Sequence, residues 1–192
     1  WIRNTVPYNP AESTVIKAFN NYFGGGMGSL VFQTIRESKA LAYSTYGYYA
    51  TPSKKTDKYY TLAYVGSQAD KFKEAVEAMN ELLNTMPELP ANLELAKQQI
   101  KQEIETERIT QDGIIYYYLH DQRMGLKDDI RKQIYQNIDN ITMKDIKAFH
   151  DKYLSNKPYT YVILASENKL SEDELKKIGD FKKLSLKELF GY

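Results

Sequence analysis

Apolar positions change their spacing several times along the chain, and each change predicts a new element. Residues 41–50 and 59–65 alternate between two faces and are rich in aromatic and β-branched side chains, which predicts an antiparallel hairpin across the polar loop between them. Residues 70–86 instead repeat apolar side chains every three to four positions, which predicts a long amphipathic helix packed on the hairpin. Residues 159–165 are an apolar run of strand length and predict a buried strand.

Capping signals predict where further helices begin. Asn9 and Pro10 have the residue types of a helix start, and Gly24 follows the helix as a stop. Thr142, Ser171 and Ser185 are each followed three residues later by an acid, the pattern of a capping box. The remaining helices are predicted over residues 11–23, 29–38, 93–110, 113–124 and 130–135.

The order of these elements predicts an α+β fold with one mixed, mostly antiparallel sheet and helices packed on one face. The length of 192 residues suits one core, and no linker-like segment rich in Pro, Gly and Ser interrupts it. We therefore expect residues 1–192 to form a single domain. The chain begins at Trp1 as if already inside a strand, so we expect it to be a carboxy-terminal fragment of a longer chain.

Charge and cysteine content exclude several classes of function. Lys and Arg number 26 and Asp and Glu 25, a balance that gives no general attraction to nucleic acid or to an anionic membrane. No apolar run approaches the roughly 20 residues of a spanning helix. The absence of cysteine excludes disulfides, cysteine-ligated zinc and a thiol nucleophile, and it leaves periplasmic and cytoplasmic locations equally open. We expect neither nucleic acid nor membrane as a partner.

The chain lacks a recognisable zinc or serine-nucleophile motif. Its two histidines, His120 and His150, form neither H-E-x-x-H nor H-x-x-E-H. If they met in space, a third ligand would still be missing, so structural histidines are the favoured interpretation over a metal pair. Ser29 has no His or Asp in a recognisable relation to it. We expect no metal bound by this domain.

A glycine-rich segment follows the first predicted helix. Gly24, Gly25 and Gly26 resemble a phosphate cradle superficially, and Ser29 has the residue type to cap the next helix. The segment lacks the Gly-Lys-Ser/Thr ending of a P-loop and the spacing of G-x-G-x-x-G after a strand. A structural turn between two helices is therefore the favoured interpretation, and the cradle is the alternative.

Residues 21–43 read Asn-Tyr-Phe-Gly-Gly-Gly-Met-Gly-Ser-Leu-Val-Phe-Gln-Thr-Ile-Arg-Glu-Ser-Lys-Ala-Leu-Ala-Tyr. They resemble the signature of the insulinase/pitrilysin family of zinc metallopeptidases. In that family a helix ends in a Gly-rich turn, a short helix carries Leu-Phe and then Arg-Glu, and Leu-Ala-Tyr or Leu-Gly-Tyr begins a strand. The order of later elements agrees, so the resemblance covers about residues 2–164.

The resemblance implies a particular kind of domain. Family members contain repeated homologous domains that enclose a chamber, and only some repeats carry the inverted zinc motif. The helix over residues 11–23 contains no His, so this chain resembles the carboxy-terminal, non-zinc-binding repeat. The implied fold is that of the repeat domains of insulinase/pitrilysin and mitochondrial processing peptidases. The implied partner is a catalytic zinc-binding domain in the same chain or in a separate subunit.

By the same resemblance, the zinc-less repeat contributes an arginine and a tyrosine to the catalytic chamber, and Arg36 and Tyr43 stand at the expected spacing. A phenol stays protonated at pH 7 and can donate to a developing oxyanion, while an arginine can orient that phenol or a peptide oxygen. Without the resemblance, Arg36 would be a cation near a helix C-terminus and Tyr43 an ordinary strand tyrosine.

We therefore expect the substrate-binding, zinc-less half of a zinc-dependent endopeptidase that acts on peptides or unfolded protein segments. The alternative is a non-catalytic scaffold or binding module derived from the same family.

The isolated chain should bind no zinc tightly and cleave no peptide, because the ligand set is missing. Metal analysis after dialysis and incubation with unstructured peptides measure both properties. Stoichiometric zinc, or turnover that depends on metal, would contradict the assignment to a non-catalytic repeat.

Overall fold

A computed structural model describes residues 1–166 and 168–191, which divide into two compact units, Trp1–Val162 and Ile163–Tyr192. The first unit contains a three-stranded antiparallel sheet in the order β1-β3-β2. Its strands are β1 (Ile2–Pro7), β2 (Ser44–Ala50) and β3 (Lys58–Gly66). Its helices are α1 (Ser13–Phe23), the π-helix (Phe32–Ser38), α2 (Phe72–Asn84), α3 (Pro90–Thr106), α4 (Gln111–Met124), α5 (Ile130–Asn137) and α6 (Met143–Tyr153).

The second unit contains α7 (Glu172–Lys176) and α8 (Leu186–Phe190). The predicted α+β class, with helices and an antiparallel sheet, is confirmed. That residues 1–192 form one domain stays a prediction.

The helix starts follow the capping signals. Thr142, Ser171 and Ser185 each form the full capping box, in which the hydroxyl accepts from a backbone N–H and the acid accepts in return. Asn9 accepts from Ala11 N–H, but it starts a 3₁₀ turn over Pro10–Glu12, and α1 begins at Ser13. These contacts lie within three residues of each other, so the local sequence suffices to predict them.

One face of the sheet forms part of the core. Tyr49 and Tyr59 are fully buried there, and Tyr49 packs edge-on against Phe149 of α6 at a centroid distance of 5.0 Å. The Tyr59 hydroxyl donates to the carbonyl oxygen of Asn9 at 2.8 Å and accepts from the Asn9 N–H at 3.1 Å. Burial raises the pKa of Tyr59 to about 12. The phenol thus ties the start of the first helical segment to the sheet while its ring fills the core.

A second buried tyrosine does the same for the loop before α3. The Tyr22 hydroxyl donates to the Pro87 carbonyl at 2.7 Å and accepts from the Leu89 N–H at 2.9 Å. Tyr22 is 1% exposed, and burial raises its pKa. Both backbone groups of the loop are satisfied without water, so the loop is held against α1.

The predicted strand over residues 159–165 is wrong. Thr160 forms one isolated antiparallel bridge with Ile2, with two 2.9 Å hydrogen bonds between their backbones, and residues 161–165 form no strand. The next hydrogen-bonded position on one side is Pro158, which has no N–H to donate. The apolar run alone therefore does not extend this single bridge into a strand.

The free edge of β2 is covered by α1. The Asn20 side-chain amide donates to the Tyr49 carbonyl at 3.0 Å and accepts from the Tyr49 N–H at 2.8 Å, as a neighbouring strand would. Gly24, at the end of α1, lies so close to Gly47 that a Cβ on Gly24 would sit 2.2 Å from the Gly47 carbonyl oxygen. The edge is thus closed to pairing with another strand.

The glycine at position 24 is required by this contact and not by an unusual backbone angle. Gly24 has φ −148°, and the described glycines with positive φ are Gly125 and Gly191. A Cβ on Gly25 would approach the Asn20 carbonyl oxygen at 2.8 Å, whereas one on Gly26 would meet nothing within 4 Å. Close backbone approach, rather than conformational freedom, requires a glycine at position 24.

Gly24→Ala should lower the free energy of unfolding by at least about 2 kcal/mol, because two backbones would have to separate. The matched control is Gly26→Ala, which should leave stability unchanged or raise it by up to about 1 kcal/mol. Urea unfolding of both variants gives the comparison. Equal stabilities would show that the Gly24–Gly47 approach does not constrain the fold.

Candidate functional site

The segment after the glycine turn is a π-helix anchored by apolar side chains. Leu30, Val31 and Ile35 are at most 3% exposed and fix one side of the segment in the core. The wide helical turns continue to the end, where the Lys39 N–H donates to the Thr34 carbonyl five residues earlier at 3.1 Å. Sequence periodicity predicts a helix here but not its type. Short π-helical segments are rare and often occur at functional sites.

The segment leaves the helix through a residue with strained backbone. Ala40 has φ +49°, a region that non-glycine residues adopt at a cost. The Leu41 N–H then donates to the Ile35 carbonyl at 2.9 Å. This exit turns the chain toward β2, so that the Tyr43 N–H reaches the Gly66 carbonyl at 3.0 Å.

Arg36 and Tyr43, the two residues singled out from the sequence, lie beside each other. The Arg36 guanidinium carbon is 5.8 Å from the centroid of the Tyr43 ring and 4.8 Å from that of Phe32. Both distances lie within the range of cation–π contact. Sequence reasoning missed Phe32, although its spacing of four from Arg36 on a helix was a usable signal.

The functional groups of this cluster point to solvent. Tyr43 is 87% exposed, and the side chain of Arg36 is 40% exposed. The carboxylate of Glu37 lies 3.8 Å from Arg36 Nε, which is within ion-pair range but beyond hydrogen-bond distance. Within residues 1–166 and 168–191, no hydrogen bond uses the Arg36 guanidinium. The arginine therefore presents its N–H donors unused.

Tyr43 differs from the predicted strand tyrosine. The sequence places it inside a strand over residues 41–50, on the same face as Thr45 and Tyr49, but β2 begins at Ser44. Thr45 and Tyr49 face the core. Tyr43 precedes the strand and is exposed, so it does not follow the alternation of buried and exposed residues along β2. Ser44 pairs with Gly66, the last residue of β3, so β2 has no partner strand before Ser44.

The glycine turn has contacts that suit a structural role. Ser29 is 1% exposed, and its hydroxyl donates to the Gly26 carbonyl at 2.6 Å. Gln33 donates to the Met27 carbonyl at 2.6 Å. The turn thus engages its own carbonyl oxygens, and a buried, hydrogen-bonded Ser29 is poorly placed to act as a nucleophile.

The two histidines have unlike surroundings. His120 on α4 has a 54% exposed side chain, 3.4 Å from Asp121. His150 on α6 is fully buried, and its Nε2 lies 3.0 Å from the Leu82 carbonyl, to which it can donate. Burial is the main cause that lowers the pKa of His150. Across the described ranges, 1–166 and 168–191, no three His, Cys, Asp or Glu side chains cluster as metal ligands would.

A cleft between the start of α1, α5 and α6 carries the remaining polar cluster. The Tyr153 hydroxyl donates to both carboxylate oxygens of Glu12 at 2.9 Å, and Lys152 lies 3.2 Å from the same carboxylate. Glu12 is therefore fully engaged by its neighbours, and the cluster holds α6 to the start of α1.

Comparison with known proteins identifies the family. Residues 1–101 match the family model of the peptidase M16 inactive domain, which is more than half of the chain. The chain therefore belongs to this family, and the resemblance to a non-zinc-binding repeat of a zinc metallopeptidase is confirmed. An uncharacterized zinc protease of Bacillus subtilis (strain 168), YmxG, is 36% identical over 85 residues, which are 43% of this chain and 20% of that protein.

Solved structures share the fold. A peptidase M16 inactive domain from Pseudomonas fluorescens superposes with a TM-score of 0.64 at 16% identity, covering 80% of this chain and 37% of that one. A conserved protein from Enterococcus faecalis V583 gives a TM-score of 0.64 at 17% identity, covering 80% of this chain and 36% of that one. The chain thus spans little more than a third of the length of these structures and a fifth of the zinc protease.

No helix within the described residues is long and apolar enough to cross a membrane.

Buried His150 should make stability depend on pH. Burial lowers the pKa of the His150 imidazole in the folded protein, while the unfolded chain protonates it near the ordinary histidine pKa of 6.5, so the unfolded state binds more protons as the pH falls below that value. The free energy of unfolding should therefore decrease as the pH falls below about 7. For one such group the slope is at most about 1.4 kcal/mol per pH unit. Asp151 and Lys147 are the charged groups nearest the ring and modulate the effect.

Urea unfolding between about pH 7.5 and pH 5 tests this for the wild type, His150→Gln and His120→Gln. The slope should become smaller in His150→Gln, which retains a donor for Leu82, and stay unchanged in His120→Gln, which alters an exposed side chain. The Trp1 amino group, whose pKa burial also lowers, contributes the same slope to all three proteins. A pH slope that His150→Gln leaves unchanged would assign the dependence to another group.

Proposed function

We propose that this chain is the substrate-binding, zinc-less half of a zinc-dependent endopeptidase that acts on peptides or unfolded protein segments. The observation that carries the proposal is the pairing of Arg36 with Tyr43 at an exposed end of the sheet, with their donor groups unused. Membership of the M16 inactive-domain family supports it. In this proposal zinc, its ligands and the general base belong to a catalytic domain, in the same chain or in a separate subunit.

The cluster suits binding to a peptide oxygen. Contacts with the faces of Phe32 and Tyr43 restrict the Arg36 guanidinium without using its N–H groups, which lie in its plane. The donors remain free for a carbonyl or an oxyanion. Ordering the side chain in advance reduces the entropy lost when substrate binds.

Tyr43 suits the role of an uncharged hydrogen-bond donor. Its backbone is fixed by the hydrogen bond to Gly66, while its ring and hydroxyl extend into solvent. A phenol O–H aimed at a scissile carbonyl would stabilise the negative charge that develops on the oxygen during attack by zinc-bound water. In this role Tyr43 stabilises the transition state, and Arg36 orients the phenol or the peptide.

A non-catalytic scaffold or binding module is the second candidate. Three tyrosines on the face of the sheet opposite the core stack in a row, Tyr48 on Tyr46 at 5.1 Å and Tyr46 on Tyr64 at 5.0 Å. Such a surface suits contact with another protein. The exposed Arg36 guanidinium, which contacts the faces of Phe32 and Tyr43, favours the peptidase half.

Tyr43→Phe in the complete, zinc-loaded peptidase should lower kcat by up to about 10²- to 10³-fold, because it removes the donor and keeps the ring. Arg36→Lys should also impair turnover, because lysine keeps the charge but loses the planar fork. Melting temperatures should barely change. The measurement is kcat and kcat/KM on a quenched peptide.

The controls are Tyr46→Phe and Tyr48→Phe, which alter hydroxyls on the face of the sheet that points away from the core. Their kcat and kcat/KM should stay near wild type. Wild-type turnover in both Tyr43→Phe and Arg36→Lys would remove the role in the catalytic chamber. The scaffold function would then become the better account.

A further inference from the structure

Helix α4 presents an apolar surface that no other element of the unit Trp1–Val162 covers. Its inward side carries Tyr117, Asp121 and Met124, and Met124 is 2% exposed. The opposite side, which we call the α4 face, is centred on Ile115 and Leu119, 64% and 43% exposed. The flanking residues Tyr116 and Tyr118 are 74% and 62% exposed. Contiguous apolar exposure of this kind marks a contact surface.

The position of α4 is fixed despite this exposure. The Tyr117 hydroxyl donates to Glu107 at 2.6 Å, and the Arg131 guanidinium carbon lies 4.7 Å from the Tyr117 ring centroid. At the other end, the Lys55 N–H donates to the Arg123 carbonyl at 3.4 Å, and Gly125 closes the helix in the left-handed conformation. The helix is therefore held on its inward side, with Ile115 and Leu119 directed away from it.

The two ends of the α4 face carry opposite charges. With 3.6 residues per turn, Asp112 in the first turn and Arg123 in the last lie on the same side of the helix as Leu119. Both are exposed, and neither forms an ion pair within residues 1–166 and 168–191. A face that is negative at its start, apolar in its middle and positive at its end is complementary to itself when a second copy runs antiparallel.

We propose that the α4 face is a homodimer interface, in which α4 packs antiparallel against α4 of a second copy of this chain. Twofold symmetry brings Ile115 of one copy against Leu119 of the other and sets Asp112 opposite Arg123 twice. The antiparallel arrangement also places the positive end of each helix dipole beside the negative end of its partner. This inference is independent of the peptidase role proposed for Arg36 and Tyr43.

The size of the surface sets the strength of the dimer. Five or six half-exposed side chains offer on the order of 500 Å² per copy, less than the ~800 Å² that a stable interface of standard size contributes from each partner. The dimer should therefore be weak and reversible, forming in the micromolar to millimolar range of concentration. The charge pairs at the ends supply orientation more than affinity.

Sedimentation equilibrium of the 192-residue chain from about 10 µM to about 1 mM tests the proposal. The weight-average mass should rise toward twice the monomer mass as concentration increases. Asp112→Arg and Arg123→Asp should each weaken association at least about tenfold, because each places like charges opposite one another twice. The double variant that exchanges both charges should restore the wild-type dissociation constant.

Two controls separate the interface from general effects of charge and folding. Glu88→Arg reverses an exposed charge in the loop between α2 and α3 and should leave association unchanged. Leu119→Asp should abolish association while circular dichroism and melting temperature stay near wild type, because the side chain is exposed. A chain that remains monomeric at the highest concentration overturns the proposal. Association that Leu119→Asp leaves intact, or that the charge exchange fails to restore, overturns it as well.

Discussion

The close approach of Gly24 to Gly47 is the constraint on which the arrangement around Arg36 and Tyr43 depends. It lets α1 end directly on the free edge of β2, where Asn20 pairs with the backbone of Tyr49. The glycine turn follows at once and leads into the π-helix, which contacts β2. The buried side chain of Ile35 anchors this helix beside Arg36, and the Tyr43 backbone is hydrogen-bonded to Gly66, so both residues are attached to the core. The contact between Gly24 and Gly47 also closes the edge to unwanted strand pairing.

Tyrosine is abundant, with 17 residues. Whether a tyrosine is buried or exposed depends on the hydrogen-bond partners within reach of its hydroxyl. Tyr22 and Tyr59 are buried because each phenol bridges a backbone N–H and a carbonyl of a loop, so burial leaves no polar group unsatisfied. Tyr49 is buried with its hydroxyl 2.7 Å from the Thr5 hydroxyl. The Tyr43 hydroxyl has no such anchor among residues 1–166 and 168–191, and the residue is 87% exposed. The same residue type thus serves as a core anchor and as an exposed donor.

Local signals predicted the fold better than long-range ones. The capping boxes at Thr142, Ser171 and Ser185 could be predicted because donor and acceptor lie three residues apart. The strand over residues 159–165 was wrong because strand formation depends on a partner edge, which the sequence of the run does not contain. The pairing of Arg36 with Tyr43 could be anticipated only from the family signature. The contact with Phe32 and the strained exit at Ala40 depend on the π-helix, whose type periodicity does not reveal.

The central claim is that Tyr43 faces the bound peptide in the assembled peptidase. A photoreactive benzoylphenylalanine at position 43, in a peptidase reconstituted from this chain and its catalytic domain, reports directly on what lies within reach of that side chain. Irradiation with a bound, slowly cleaved peptide should attach the peptide to position 43, and excess unlabelled peptide should suppress the product. The same label at position 46, on the face of the sheet that points away from the core, should capture none. Failure of position 43 to capture peptide, or equal capture at both positions, would contradict the account.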